Sequence, residues 1–319
     1  MASTLDLASL RLVRAIADAG TITGAASSLG FTQPAVSQHV RRLERRLGTA
    51  LLERHARGVR LTEAGQVLAR YGATVAATVD AAEREVSALA GLRAGRVRVM
   101  SFPSASATLV PAALILLRDN APDVEVDFSE ADPAESTAAL REGRCDIAIT
   151  FDHTSSDPAA HPPGAPDLDR DGDGRADHLG VHRVQLMSDV SLLAIASGDP
   201  LADEPRLHLR DLGTTRWIAG CSRCRNHLTD SAAAVGFAPR IAFETDDYMA
   251  TLAFVAAGLG VALLPGLVAP VAAAYPGVSL RSIAGVGRRA VHALTTTDLL
   301  RVPAVAVTVE ALQEAAAVQ

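Results

Sequence analysis

Three groups of residues in this 319-residue chain have the types and spacing that chemistry requires. Cys221-Ser222-Arg223-Cys224 is a C-x-x-C pair, with His227 following. Two thiols at this spacing can be oxidised as a pair, and Arg223 and Arg225 near a helix start would lower a thiol pKa. Zinc asks for four ligands, and only Cys221, Cys224 and His227 stand close together in sequence. A third reading makes one cysteine a cleft residue and the other a packing residue, and the motif alone leaves all three open. The second group is acidic. Asp169, Asp171, Asp173 and Asp177 occupy ligand positions 1, 3, 5 and 9 of a calcium loop, with Gly174 at position 6. Position 12 is Gly180 instead of a bidentate Glu. The stretch is therefore a weak calcium candidate and reads first as an acidic surface linker.

The third group is a polar helix face. Thr32-Gln33-Pro34 opens a helix: Thr is a natural N-cap, and Pro in the first turn gives up no hydrogen bond. At about 100° per residue, Val36, Val40, Leu43 and Leu47 fall on one side and must face a core. Pro34, Gln38, Arg41 and Arg45 fall opposite, flanked by Ser37 and Arg42. Gln pairs with adenine edges and Arg with guanine or phosphate, so such a face fits the major groove of duplex DNA. A solvated amphipathic face would show the same period, and the surroundings decide between the two. Before this helix, Thr21–Leu29 reads as a short small-residue helix closed by Gly30, which is helix-turn-helix punctuation. After it, residues 53–60 form a basic, hairpin-like segment turning at Gly58. Its Arg54, Arg57 and Arg60 would reach a flanking phosphate or the minor groove.

Charge supports this division. Residues 1–62 hold nine Arg against four Asp and Glu, a net of +5, so the remainder of a chain whose net charge is −6 carries −11. A basic head on an acidic body puts the attraction for phosphate at one end. Every basic residue is Arg. Three Cys are too few for a disulfide scaffold and fit a reducing cytoplasm. No apolar run is long enough to span a membrane, and no secretion signal is read at the N-terminus.

Residues 62–90 read as one long helix with an apolar stripe of Tyr71, Val75, Val79, Ala82, Val86 and Leu89. A single stripe of that length asks for a partner, and a second copy of the same helix would serve. From Val97 onward, short apolar runs alternate with helical patterns: Val97–Met100, a helix to Leu117, Val124–Phe128, a helix to Leu140, and Asp146–Thr150. This rhythm predicts an α/β domain with a largely parallel sheet. The rhythm pauses over the Pro-, Gly- and Asp-rich insertion 154–180 and resumes at Val184. The expected division is 1–62 for a winged helix-turn-helix, 63–92 for the linker helix and 97–319 for a two-lobed domain. Nothing assembles a nucleophile, base and oxyanion site, and there is no Gly-rich phosphate loop. No enzyme activity and no cofactor are expected.

The combination resembles the LysR-type transcriptional regulators. The residues that carry the resemblance are Gly20 to Ala26, Thr32-Gln33-Pro34-Ala35-Val36-Ser37, Arg42-Leu43-Glu44, Leu47-Gly48 and Arg60 to Gly65, in the family's order and spacing. Leu52 departs from the family's usual Phe. Further on, Pro103-Ser104, Leu109-Val110-Pro111, Cys145 to Ile149 and Gly258 to Pro265 resemble segments of the family's effector domain. The resemblance implies a homodimer or homotetramer assembled through the linker helix. It also implies an effector domain of periplasmic-binding-protein architecture, with a small molecule held between the lobes. Loops at strand ends would line that cleft: Ser101, Ser104 and Ser106, then Thr150-Phe151, Gly220-Cys221 and Thr245-Asp246. Ser104, Ser106, Thr150 and Cys221 are the expected contacts to a small anion or amino-acid-like ligand, although helix capping would also account for each hydroxyl. Cys145 is expected in the core. The alternative function is a thiol-redox-responsive regulator that uses Cys221 and Cys224.

Overall fold

The computed structural model describes residues 5–55, 58–89, 95–153 and 180–319. Capping side chains set the three helices of the head. Asp6 accepts the Ser9 N–H at 2.7 Å and opens α1 (Leu7–Ala19). Thr21 accepts the Gly24 N–H at 3.0 Å and opens α2 (Ile22–Ser28). Thr32 accepts the Ala35 N–H and opens α3 (Gln33–Leu47). Val36, Val40 and Leu43 are buried as the helical angle predicts, against Leu12, Ile16, Ala25 and Ala26 on one side and Leu10, Val13 and Leu51 on the other. Leu47 at the helix end is only half-buried. Strands β1 (Leu52–His55) and β2 (Gly58–Leu61) pair antiparallel to form the wing. Its start is fixed by Glu44, whose carboxylate accepts the Leu51 N–H at 2.8 Å and the Leu52 N–H at 3.3 Å. Leu52 packs at the edge of the head's core in place of the larger aromatic.

Thr62 caps α4 (Glu63–Leu89) by accepting the Gly65 N–H at 3.1 Å. Gly65 is required here: a Cβ would sit 2.3 Å from the Leu51 carbonyl oxygen. The apolar stripe expected along α4 divides. Val75 joins the head's core with Leu68, whereas Tyr71 is 47% exposed and Val86 65% exposed.

The rest of the chain forms two α/β lobes. The first begins with β3 (Gly95–Ser101), α5 (Pro103–Ala107), α6 (Leu109–Asn120), β4 (Val124–Glu130), α7 (Pro133–Arg141), β5 (Ile147–His153) and β6 (Val181–Asp189). The chain then crosses into the second lobe. That lobe contains β7 (Ser191–Ala196), β8 (Leu207–His208), β9 (Arg216–Ala219), α8 (Ser222–Ala234), β10 (Arg240–Glu244), α9 (Tyr248–Ala256), β11 (Ala262–Pro265), α10 (Ala269–Ala273) and β12 (Val278–Ala284). It returns through β13 (Arg289–Thr296) and ends in α11 (Pro303–Ala317), which packs beside α6 on the first lobe. The first sheet runs β4-β3-β5-β13-β6 and the second β11-β7-β12-β8, with the β10-β9 pair joined to β11 by the Trp217–Val261 bridge.

Both sheets are mixed, which corrects the expectation of a largely parallel one. β3 pairs parallel with β4 and β5, but β13 runs antiparallel to both β5 and β6, and β7 antiparallel to both β11 and β12. The double crossing between lobes is the reason: β13 returns to the first sheet from the opposite end to that used by β3 and β5. The helix expected to run to Leu117 is broken at Thr108 into α5 and α6. Asp146 precedes β5 and serves as an anchor. Its buried carboxylate accepts from the Arg98 backbone N–H and guanidinium, the latter at 2.7 Å.

Candidate functional site

The outward face of α3 is the first candidate. Thr32, Gln33, Pro34, Gln38, Arg41, Arg42 and Arg45 are exposed, and Ser37 is half-buried with its hydroxyl held 3.0 Å from Gln33 Nε2. Gln38, Arg41, Glu44, Arg45 and Gly48 to Ala50 line one broad groove beside this face. Arg54 lies on β1, and Arg60 is exposed on β2; Arg57 falls outside the described residues. The wing cannot swing freely, because the Val59 N–H donates to Gly20 O at 3.3 Å and a Cβ on Gly58 would meet that same oxygen at 2.8 Å. The α3 face thus presents the amides of Gln33 and Gln38 and several guanidinium groups, which suits contact with base edges and phosphates.

The second candidate lies between the lobes. The cleft is lined by Phe102, Pro103, Asp132 and Phe151 from the first lobe, by Gly220, Cys221, Cys224, Thr245, Asp246 and Tyr248 from the second, and by Arg289 at the crossing. It encloses about 50 Å³. Phe151, Gly220, Cys221, Thr245 and Asp246 therefore stand where the strand-end reasoning puts them. Ser101, Ser104 and Thr150 are buried behind the wall, and Ser106 turns its hydroxyl onto the Phe102 carbonyl at 3.0 Å.

Ser104 has a different task. Its hydroxyl accepts from Arg289 at 2.7 Å, and Arg289 also donates to Asp189 at 2.8 Å. The Arg289 guanidinium lies 5.0 Å from the Phe102 ring centroid and 4.8 Å from that of Phe151. This buried arginine carries its own carboxylate and two aromatic faces, so its charge is already compensated. Sequence reasoning misses Arg289, Asp189 and Tyr248. Arg289 meets Ser104 across 185 positions and Asp189 across 100, and no local motif announces either contact. Burial holds the Tyr248 hydroxyl protonated, its pKa raised.

At the start of α8 the two thiols are 3.1 Å apart. The Cys224 thiol and backbone N–H both favour a Cys221 thiolate, which brings its pKa down to about 7 against the opposing effect of burial. Cys224 moves the other way for the same reason. Cys145 is buried as expected and its thiol is pushed up to about 12. One turn beyond Cys224, His227 stacks on His153 of the first lobe with ring centroids 3.9 Å apart and planes 7° from parallel. Among the described residues, no group of three metal-ligating side chains is gathered to hold an ion. The calcium-loop residues Asp169, Asp171, Asp173 and Asp177 fall outside the described residues.

Burial, then the neighbouring ring, drives His153 down to about 2, and burial lowers His227 as well. Below pH about 6.5 the unfolded chain takes up protons at these histidines that the folded one refuses, so acid removes stability. Urea unfolding is expected to lose at most about 1.4 kcal/mol per pH unit for each histidine below that value. A His153→Phe/His227→Phe variant should show a shallower decline than the parent chain, and equal slopes would show that the stack does not stay neutral.

Comparison with known proteins places these features in context. Residues 7–66 match the "Bacterial regulatory helix-turn-helix protein, lysR family", and residues 90–164 and 170–317 match the "LysR substrate binding domain". The chain is 27% identical to a "Probable HTH-type transcriptional regulator LrrA" of Synechococcus elongatus, over 98% of both chains. It is 31% identical to a "Probable hydrogen peroxide-inducible genes activator" of Streptomyces viridosporus, over 82% of this chain and 77% of that protein. Among solved structures, a full-length OxyR variant from Pseudomonas aeruginosa superposes with a TM-score of 0.70 at 20% identity, over 97% of this chain and 95% of that one. Full-length CbnR, solved in complex with its target DNA, gives a TM-score of 0.61 at 20% identity, over 98% of this chain and all of that one.

Proposed function

The chain belongs to the LysR family of transcriptional regulators, and from that premise we propose how its residues divide the work. α3 enters the major groove, with Gln38 and Ser37 reading base edges and Arg41, Arg42 and Arg45 holding phosphate or guanine. Thr32, Gln33 and Pro34 present the helix N-terminus to the backbone, and Arg54, Arg57 and Arg60 of the wing reach the flanking phosphates. The observation that carries this reading is the sidedness of α3: Val36, Val40 and Leu43 are buried while Gln38, Arg41 and Arg45 are exposed.

Residues 1–62 act as the DNA-binding unit, 63–92 as the dimerisation helix and 97–319 as the effector unit. The exposed Tyr71 and Val86 of α4 support pairing with a second copy of the helix, whose two heads would then read half-sites about one DNA turn or a multiple apart. A regulator of this kind works in the cytoplasm and performs no catalysis. Its effector sits between the lobes against Phe151, Gly220, Cys221, Thr245 and Asp246, with Ser101, Ser104, Ser106 and Thr150 shaping the wall behind.

Ser104 offers a test. A bulky residue there must displace Arg289, and with it Phe102 and Phe151 on the cleft wall. In cells carrying a reporter under the protein's own operator, Ser104→Leu is expected to abolish variation of the signal across growth conditions while operator occupancy, read by footprinting, persists. Full variation in the variant would contradict the assignment of the cleft.

A further inference from the structure

We infer that Cys221 and Cys224 form an oxidation site, a dithiol that a small hydroperoxide converts to a disulfide within the cleft. The inference rests on reading the cleft as the regulatory site and names the chemistry that acts there. The two sulfurs are already in contact at 3.1 Å, and closing to a bond of about 2.05 Å needs a shift of only about 1 Å. Both residues are half-buried and border the cleft's enclosed space, so a reagent reaching that space meets sulfur directly. The space is about 50 Å³ on the measure by which a single water needs about 10–15 Å³, so hydrogen peroxide or a small alkyl hydroperoxide fits beside the sulfurs. Zinc is disfavoured as the use of this pair: His227 is stacked face to face on His153, and among the described residues no third ligand joins the thiols.

The environment divides the labour between the two sulfurs. Cys221 stands immediately before the 13-residue α8, where unpaired backbone N–H groups favour an anion. The two sulfurs share one hydrogen bond at 3.1 Å, and with the Cys221 pKa lowered and that of Cys224 raised, Cys221 is the thiolate and Cys224 the resolving thiol. In the first step the Cys221 sulfur attacks one oxygen of the peroxide. An S–O bond forms and the O–O bond breaks, and the departing oxygen takes the electron pair and a proton to leave as water or an alcohol. In the second step the Cys224 sulfur attacks the Cys221 sulfenic acid. The S–S bond forms, the S–O bond breaks, and hydroxide leaves as water with the Cys224 proton. Two thiols lose two electrons and one peroxide gains them.

The same helix carries the consequence across the cleft. Arg223, between the two cysteines, donates to the Phe151 carbonyl at 3.2 Å and lies 3.7 Å from Asp152, while His227 stacks on His153. A movement of the first turn of α8 therefore pulls on three consecutive residues at the end of β5, in the other lobe.

The test uses the reduced full-length protein and hydrogen peroxide in small molar excess, with thiols counted by alkylation and peptide mass. The chain holds three free cysteines. The expected result is a fall from three reactive thiols to one, with Cys145 retained, a disulfide mapped to the Cys221–Cys224 peptide, and a rate that rises with pH through about 7. Cys224→Ser should stop at a sulfenic acid on Cys221 that dimedone traps, and Cys221→Ser should lose the fast phase. Three thiols remaining, or a Cys221 no faster than an ordinary free thiol, would overturn the inference. An operator footprint of the reduced parent protein reads the regulator assignment independently. A footprint with unreacted thiols removes only the oxidation site, and the absence of any footprint removes the reading beneath it.

Discussion

Arg289→Met is expected to lower the stability of the two-lobed domain by about 3–5 kcal/mol in urea unfolding. The reason lies in what the substitution leaves behind. Asp189 is 3% exposed and faces the Arg289 guanidinium at 2.8 Å, so truncating the arginine strands a buried carboxylate without its counter-charge. The loss is a large share of the roughly 5–15 kcal/mol that holds a domain together. The Ser104 hydroxyl and the faces of Phe102 and Phe151 lose their partner in the same step. The charge argument makes a second claim that packing alone would not. Arg289→Met combined with Asp189→Leu removes both charges, and a buried pair exchanged for apolar groups of similar volume costs little. The double variant should therefore recover most of the loss. A single variant that loses less than about 1 kcal/mol, or a double variant worse than the single, would contradict this account of the crossing point.

Gln38→Ala is the second large effect, and it falls on DNA recognition. Gln38 is exposed midway along the outer face of α3, where a bidentate contact with a base is worth about 1–3 kcal/mol of discrimination. The specific complex should weaken about 5- to 150-fold, with non-specific affinity nearly unchanged. Arg60→Ala on the wing should behave differently. It weakens specific and non-specific binding alike and reduces the salt dependence by about one released counterion. Titrations of specific and unrelated duplexes at several salt concentrations separate the two. If Gln38→Ala weakened both duplexes equally, α3 would be a phosphate clamp and the reading surface would lie elsewhere.

The head was legible in the sequence because its information is local. The cap at Thr32, the stop at Gly30 and the angle between Val36 and Gln38 all act within a turn or two of helix. The cleft was legible only in part. Strand-to-helix hand-offs at Phe151, Gly220 and Thr245 are local events, and reasoning from them reaches loops that line the space between the lobes. The groups that organise the cleft are not local: Ser104, Asp189 and Arg289 converge from three distant segments, and nothing near any one of them signals the other two. The two crossings between lobes turned an expected parallel sheet into a mixed one for the same reason. A βαβ rhythm shows each unit's handedness and spacing, but not the end from which a returning strand re-enters the sheet. The hydroxyls showed the limit of residue type as a guide. Ser104 is expected as a ligand contact, yet its oxygen accepts from Arg289.

The central claim is that α3 reads a DNA sequence, and site selection tests it most directly. Purified full-length protein is used to enrich binders from a random duplex pool, in parallel with the Gln38→Ala variant. The account predicts that the parent enriches one dyad-symmetric sequence with half-sites about 10 base pairs, or a multiple, apart. The variant should lose preference at one position of each half-site. Retention of duplexes without any enriched sequence, or an enrichment that Gln38→Ala leaves unaltered, would contradict it.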